Sequence, residues 1–431
     1  MTPDDLRVAG FLDARRALSF LEELPAGQSW VGDLSASADP DQALLQAVRL
    51  READPGLVDA LSADERARRR VCAILGGSQW LGDYVIAEPE RAAAINEDPG
   101  DPRDVLFEAV GARALSSGAW VAGREADADD LRAAYRRVLL HLAADDLTSA
   151  SPEAAMLSVG ARIADLVDAT MDAGLALARR DVDPEGTVPF AIIAMGKTGA
   201  RELNYISDVD VIYVAKAGAD GDERSALEKA TRLASATASA CSGPGTQAPL
   251  WTVDANLRPE GRNGVLVRTN ESYRQYWDKW AQTWEFQALL KARACAGDEA
   301  VGRAFEEAAQ PYVWSAATRE GFVEAARQMR RRVEDNISRS YASRELKLGR
   351  GGLRDVEFTV QLLQLVHGRT DAFLRVRSTL EAIEALREGG YIARSDARQL
   401  ASCYRFLRAV EHRTQLPRMR RTHLIPDKER E

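Results

Sequence analysis

The sequence predicts a predominantly helical α+β protein with a small mixed sheet between two helical regions. Residues 1–180 place apolar residues at helical spacing among Ala, Leu, Arg and Glu in one segment after another. Short β-rich runs are confined to the stretch that follows, and helical patterning returns towards the C-terminus. We therefore predict three domains: a helical N-terminal region over residues 1–180, a core over 181–315 and a C-terminal helical bundle over 316–431.

The composition narrows the classes of function. Apolar residues make up 45% and charged residues 29% of the 431 residues, which is typical of a soluble globular protein. The net charge of −9 argues against nucleic acid or an anionic membrane as a partner. No apolar run reaches roughly 18 residues and the start shows no signal-peptide pattern, so we expect no membrane segment. The four cysteines show no paired spacing, so we expect reduced core thiols in a cytoplasmic protein.

Residues 1–180 are expected to be helical throughout. Ser151 and Pro152 combine a capping residue with a proline at the first helical position, and Asp127 precedes another helical segment. No repeat of constant period is present. We interpret this region as a bundle that supports the core, and a docking surface for a partner protein is the alternative.

The most informative stretch begins with two apolar, β-branched runs, Val188–Ala194 and Val209–Ala215, which predict buried strands. Asp208 and Asp210 open the second run at positions i and i+2, so both carboxylates point to one face of the strand. Two neighbouring carboxylates repel each other and are costly to desolvate, and a cation between them removes both penalties. Hard oxygen ligands of this kind suit Mg²⁺ or Mn²⁺.

The loop between these strands carries candidate residues for binding a phosphate group. Gly196 allows the backbone to approach an anion, Lys197 offers a positive charge, and Ser207 immediately precedes the aspartate pair. A glycine-lysine turn after a strand is more often ordinary, and the spacing is not that of a P-loop. The combination of strand, glycine-containing turn and S-D-x-D is more specific than any of its parts.

A third strand is predicted over Leu250–Leu257, with Asp254 among apolar neighbours. Arg258 follows four residues later, an even offset that keeps it on the same face if the strand continues. Its guanidinium is a candidate for clamping phosphate in a bidentate manner. Gly196, Lys197, Ser207 and Arg258 are therefore the predicted cofactor-binding residues.

Several later segments are predicted to be helical, among them Arg377–Gly389 and Ser395–Leu416. Glu271–Lys291 carries an aromatic stripe that is interpreted as core, with a base-stacking platform as the alternative. Phe322–Tyr341 predicts a basic amphipathic helix. Gly351 and Gly352 open a further helix beside Arg354, and this start is interpreted equally as a structural turn or as a wall over a nucleotide.

Several motifs, in order along residues 189–420, resemble one family. They read MGKTGARELNYISDVDVIYV, VDANLRPEGRNGVLV, WEFQALLKARACAGD and LKLGRGGLRDVEF. The strand, turn and S-D-x-D resemble the nucleotidyltransferase superfamily of DNA polymerase β. The full set is similar to bifunctional glutamine synthetase adenylyltransferase/adenylyl-removase, and ELNYISDVD resembles the N-terminal, adenylyl-removing half. The chain ends where a second half would begin, which suggests a fragment.

The resemblance implies a polymerase β-like nucleotidyltransferase core and a specific reaction. That reaction is removal of AMP from a tyrosine of glutamine synthetase by inorganic phosphate, with release of ADP. Asp254 becomes the third carboxylate, so that Asp208, Asp210 and Asp254 are the catalytic residues and hold two Mg²⁺ or Mn²⁺ ions. The implied partners are adenylylated glutamine synthetase, a PII signal protein and the C-terminal adenylyltransferase half.

Two alternatives remain open at this point. The same three aspartates could transfer a nucleotide from a nucleoside triphosphate to a protein tyrosine, as an adenylyl- or uridylyltransferase does. A non-catalytic module that binds nucleotide or a PII protein is the alternative of another class. The clustered aspartates count against it, because binding alone would not require three like charges to be buried together.

Overall fold

The computed structural model describes residues 1–216, 222–335 and 340–427. It confirms the predicted fold class, since the chain is 63% helical with a small mixed sheet. The described residues form two compact units. The first comprises residues 1–100, 136–159 and 412–422, and the second comprises residues 101–135 and 160–411 with the described part of 423–431. The division into three domains at residues 180 and 315 stays a prediction.

The first 180 residues form helices with one exception. The helices are α1 (Pro3–Val8), α2 (Ala14–Glu23), α3 (Val31–Ser35), α4 (Pro40–Ala53), α5 (Pro55–Ala63), α6 (Glu65–Gly77), α7 (Gln79–Ala87), α8 (Ala93–Asn96), α9 (Pro102–Ala109), α10 (Ala128–Leu147) and α11 (Pro152–Val182). The exception is an antiparallel pair, β1 (Arg113–Ala114) and β2 (Trp120–Val121). Gly111 and Gly118 flank β1 with φ of +57° and +82°, a conformation that ends a helix and forms turns.

A mixed five-stranded sheet lies in the second unit. Its strands are β3 (Phe190–Ala194), β4 (Val209–Ala215), β5 (Val253–Asp254), β6 (Val267–Arg268) and β7 (Arg293–Gly297). The order is β5-β4-β3-β7, and β6 also pairs with β4. β3 is antiparallel to β4 and β7, whereas β5 and β6 are parallel to β4. The two long strands predicted from the sequence are therefore present.

The predicted third strand is much shorter than Leu250–Leu257. Only Val253 and Asp254 pair with β4. The Asn256 N–H donates to Asp254 Oδ1 at 2.7 Å, which bends the backbone into a turn at the point where the prediction continued the strand.

The predicted aromatic helix is two helices followed by a strand. α12 (Gly196–Gly199) and α13 (Glu223–Ser242) precede this region, which contains α14 (Asn270–Lys279) and α15 (Thr283–Leu289). A capping box between Gln282 and Glu285 starts α15 and separates it from α14. The core interpretation is correct for Tyr273, Trp277 and Phe286, which are buried in one cluster. The strand β7 was not predicted, because its sequence RACAG lacks the β-branched and aromatic residues typical of strands.

The C-terminal helices agree with the prediction. They are α17 (Phe322–Asp335), α18 (Leu353–His367), α19 (Thr379–Glu388) and α20 (Arg394–Gln415). The helix α16 (Glu299–Ser315), which was not predicted, precedes them. The end of the predicted helix Phe322–Tyr341 includes residues 336–339, which lie outside the described residues. Within the described ranges, no helix is both long and apolar enough to cross a membrane. Cys72 and Cys241 are buried as expected, but Cys403 is exposed on α20.

Candidate active site

The three predicted carboxylates lie on two neighbouring strands. Asp208 immediately precedes β4 and Asp210 is its second residue, and both side chains are half-buried. β5 pairs with β4 in parallel, and this register places Asp254 beside Asp210. Directly paired residues of neighbouring strands point to the same face of a sheet. The structure therefore brings Asp210 and Asp254 to one face of the sheet, with Asp208 at the start of the same strand.

The electrostatics of this group are unfavourable without a compensating ion. Burial, and to a smaller extent the Asp254 carboxylate, raise the pKa of Asp210 to about 6. Lys347 and Arg354 oppose this rise, and Asp208 adds to it. Asp210 therefore lies among like charges, with two cations close enough to act on it.

The donor set fits a hard divalent cation in chemistry and charge. Carboxylate oxygens are the ligands that Mg²⁺ and Mn²⁺ prefer. Among the described residues, no three His, Cys, Asp or Glu side chains are clustered closely enough to form a complete metal site. Asp254 Oδ1 accepts a hydrogen bond from the Asn256 N–H at 2.7 Å. A Cβ on Gly196 would lie 2.8 Å from Asp210 Oδ2, so the glycine keeps the space beside that carboxylate open.

The glycine-containing loop folds as the short helix α12 directly after β3. Gly196 has a φ of +53°, which glycine adopts without strain. Gly199 serves a different purpose, because a Cβ there would lie 1.9 Å from the Lys291 carbonyl oxygen. The two glycines of the motif therefore permit a tight turn and a close contact between backbones.

Lys197 is buried in an ion pair. Its Nζ donates to Glu411 Oε1 at 2.9 Å and Oε2 at 3.0 Å, and to Asn204 Oδ1 at 3.1 Å. Burial lowers the pKa of Lys197 to about 7, against the opposing effect of the Glu411 carboxylate. The predicted mobile cation is thus held by protein groups at the edge of the site, and its role in binding phosphate stays a prediction.

Arg258 and Ser207 lie near the aspartates without a contact that defines their role. The Arg258 guanidinium donates to the carbonyl oxygens of Ala255 at 2.8 Å and Gly264 at 3.2 Å, so it holds the loop between β5 and β6. Ser207 is half-buried immediately before Asp208. Their assignment to cofactor binding also stays a prediction.

A cavity of about 240 Å³ opens beside Asp210. It is lined by charged residues, two aromatic rings and a pair of amides: Gly196, Lys197, Asp210, Leu257, Trp284, Gln287, Ala288, Lys291, Lys347, Arg354, Glu357, Phe358 and Gln361. Gln287 donates to Gln361 at 2.8 Å. Trp284, unlike the buried aromatic residues of α14, remains 38% exposed and contributes to this wall.

The start of α18 forms a structural turn, and its role as a wall over a nucleotide stays a prediction. The N–H groups of Leu353 and Arg354 donate to the carbonyl oxygens of Leu346 and Lys347 at 2.9 Å, and the Gly351 N–H donates to Asp355 at 2.7 Å. The backbone is therefore a structural turn with its amides occupied. The Arg354 side chain nevertheless lines the cavity.

Lys291 and Lys347 are cavity residues that the sequence did not single out. Lys347 lies within the motif LKLGRGGLRDVEF, so the motif marked the segment but not this side chain.

Asp210 and Asp254 on paired strands, with Asp208 just before one of them, lie beside a cavity lined by cations and aromatic rings. This arrangement is suited to a nucleotidyltransferase-type enzyme. The chain belongs to the glutamate-ammonia ligase adenylyltransferase family, whose profile matches residues 68–308. A second profile, GlnD PII-uridylyltransferase, matches residues 325–431. The family predicted from the motifs is therefore confirmed.

Similar proteins share the name bifunctional glutamine synthetase adenylyltransferase/adenylyl-removing enzyme. The protein of Streptomyces avermitilis is 48% identical over 94% of this chain and 40% of its own length. That of Streptomyces coelicolor is 47% identical over 97% of this chain and 42% of its own length. That of Mycolicibacterium smegmatis is 45% identical over 91% of this chain and 40% of its own length. The chain thus spans about two fifths of the length of these relatives.

Proposed function

We propose that this chain removes AMP from an adenylylated tyrosine of glutamine synthetase by phosphorolysis, with inorganic phosphate as the nucleophile and ADP as the product. The observation that carries the proposal is the register that pairs Asp210 with Asp254 beside a cavity lined by cations. The relatives' name includes an adenylyl-removing activity, which supports removal of AMP rather than its addition.

The reaction balances without an added oxidant or base. An oxygen of hydrogenphosphate forms a bond to the α-phosphorus of the AMP group, and the bond from that phosphorus to the tyrosine oxygen breaks. The electron pair leaves with the tyrosine oxygen, which receives the proton of hydrogenphosphate, and ADP is formed. Tyrosine is a tolerable leaving group because its pKa is about 10. The nucleophile is already an anion at neutral pH, so the main requirements are charge neutralisation and alignment.

Different residues of the site would provide charge neutralisation and alignment. Asp208, Asp210 and Asp254 would hold Mg²⁺ or Mn²⁺, which when bound neutralises charge developing at the transferred phosphorus. Gly196 keeps the space beside Asp210 open. Trp284 and Phe358 offer aromatic surface for the adenine base, and the Gln287–Gln361 pair offers amide groups.

The second candidate is transfer of a nucleotide from a nucleoside triphosphate to a protein tyrosine. The match of residues 325–431 to the PII-uridylyltransferase profile favours it. The same match supports regulation by a PII signal protein in either case. The C-terminal adenylyltransferase half is the further proposed partner, because the relatives are more than twice as long as this chain.

Product analysis separates these functions. The chain is incubated with adenylylated glutamine synthetase and Mg²⁺, with and without inorganic phosphate, and nucleotides are separated by chromatography. We expect ADP, formed only when phosphate is present. AMP formed without phosphate dependence would instead indicate hydrolysis. Consumption of ATP with release of pyrophosphate would indicate transfer.

A further inference from the structure

The cations that line the cavity beside Asp210 fall into two groups. Lys197 is paired with Glu411 at 2.9 Å, and Lys291 donates to Glu202 at 3.3 Å and to Thr379 at 3.1 Å. These two lysines are buried and already have acceptors. Lys347 and Arg354 differ from them in this respect.

Lys347 and Arg354 have side-chain donors that the described part of the chain does not satisfy. The half-buried Lys347 ammonium makes no hydrogen bond or ion pair with a described residue. Arg354 Nε is buried without a hydrogen-bond partner, and the guanidinium lies 4.8 Å from the centre of the Phe358 ring. Leaving such donors without an acceptor is unfavourable, because they lose the hydrogen bonds that water would provide. Lys347 and Arg354 act on the Asp210 and Glu357 carboxylates only through space, without a hydrogen bond or ion pair to them among the described residues. Their donors therefore remain available to an anion in the cavity.

The shape of the site favours a phosphate group. Arg354 presents a planar fork of donors stiffened by the ring beneath it, and Lys347 adds a compact charge. The backbone does not compete for this role, because the first amides of α18 are occupied by carbonyl oxygens. The sequence pointed to Lys197 and Arg258 for this purpose, but the former is ion-paired and the latter binds loop carbonyls.

We propose that Lys347 and Arg354 form the subsite for inorganic phosphate, which becomes the β-phosphate of ADP after transfer. That the bound anion is the attacking phosphate rests on the proposed function. That an anion binds at Lys347 and Arg354 does not depend on it. AMP lacks the β-phosphate, so the subsite distinguishes ADP from AMP.

Binding measurements test the subsite without turnover. Inorganic phosphate, AMP and ADP are titrated into the chain in the presence of Mg²⁺ by calorimetry. The variants are Lys347→Ala and Arg354→Ala. The matched controls are Lys279→Ala and Arg369→Ala, which remove exposed cations of the same types outside the cavity. Circular dichroism confirms that each variant is folded, and Arg354→Lys replaces Arg354→Ala if the latter is not.

We expect each cavity variant to weaken phosphate and ADP binding by about tenfold or more, while AMP binding changes less than about twofold. The control variants should bind all three ligands as the unaltered chain does. Unchanged phosphate and ADP affinities in both cavity variants would overturn the subsite. So would an equal loss in the controls, because that loss would reflect overall charge.

A second measurement distinguishes failure of the subsite from failure of the proposed function. If the chain releases ADP, the KM for phosphate should rise at least about tenfold in Lys347→Ala, with the KM for adenylylated glutamine synthetase changed less than about twofold. Release of ADP with an unchanged KM for phosphate would reject the subsite and leave the function standing. Absence of ADP release together with the expected binding losses would reject phosphorolysis and leave the subsite standing.

Discussion

Two groups of charged side chains in the second unit, one buried and one half-buried, are compensated in opposite ways. The ion-paired network comprises Lys197, Glu202, Asn204, Lys291, Arg408 and Glu411. The aspartate cluster comprises Asp208, Asp210 and Asp254. In the network, Glu411 accepts from Lys197 and Arg408, and all three side chains are buried. In the aspartate cluster, like charges raise the pKa of Asp210 in addition to its burial.

This difference distinguishes structural charges, which the protein itself neutralises, from functional charges, which a bound ion would neutralise. Burial alone would raise the pKa of Glu411, but Lys197 and Arg408 hold that pKa well below its usual value. The network is thus stable as it stands. In the aspartate cluster, Lys347 and Arg354 only partly offset burial and the like charges, since the pKa of Asp210 remains raised. The cluster is therefore suited to an ion supplied from outside. Mutations should therefore affect stability in the network and activity in the cluster.

The largest expected effect is on turnover in the aspartate cluster. Asp208→Asn and Asp210→Asn should each reduce ADP release by at least about a thousandfold, roughly 4 kcal/mol, because a ligand charge is lost where charge must be neutralised. The fold should be retained, and the melting temperature of the metal-free Asp210→Asn protein should stay equal or rise, since repulsion is relieved. Activity assays and thermal unfolding provide the two readouts. Retained turnover in either variant would reject the site.

The network should respond with the opposite pattern. Glu411→Ala removes the carboxylate that accepts from Lys197 and Arg408, so it should lower the free energy of unfolding by about 3–5 kcal/mol. Urea unfolding measures this change. Glu299→Ala is the control, because it breaks an exposed ion pair with Arg303 and should cause no measurable change. A Glu411→Ala protein as stable as the control would show that the network is not structural.

Asp254 should affect chemistry more than binding. Asp254→Ala should lower turnover by at least about a hundredfold, roughly 2.7 kcal/mol, since one electrostatic contact to the transition state is lost. Its affinity for ADP with Mg²⁺ should remain near that of the unaltered chain, because Asp208 and Asp210 remain in place. Calorimetry and product analysis together check this. Normal turnover in the variant would place the third ligand elsewhere.

The smallest expected effect is at Gly196. Gly196→Ala and the control Gly390→Ala each place a side chain at a positive φ, +53° and +74°, at a cost of about 1–2 kcal/mol in stability. The added Cβ at Gly196 would also lie 2.8 Å from Asp210 Oδ2, whereas that at Gly390 has nothing within 4 Å. Both variants should unfold at lower urea concentrations, but only Gly196→Ala should lose turnover, by about tenfold. Equal activity in the two variants would argue against a role for the open space beside Asp210.

The sequence by itself determined the family, the helical α+β class and the two long strands. It did so because these depend on local patterns: helical spacing of apolar residues, β-branched runs, and a motif whose i, i+2 aspartates must share one face. Asp254 came from the family resemblance rather than from its own neighbours. The short pairing of β5 shows why, since a two-residue strand leaves little pattern to detect.

Only the tertiary structure decided which charges are paired. Lys197 and Glu411 are 214 residues apart, and nothing local to the glycine loop indicates that its lysine has an acceptor on α20. The same holds for Lys347 and Arg354, which lie far from Asp210 in the sequence but line the same cavity. Burial and partners set the charge and availability of an ionisable group, and both are properties of packing between distant segments. The residue types were therefore visible in the sequence, but their separation into structural and functional charge was not.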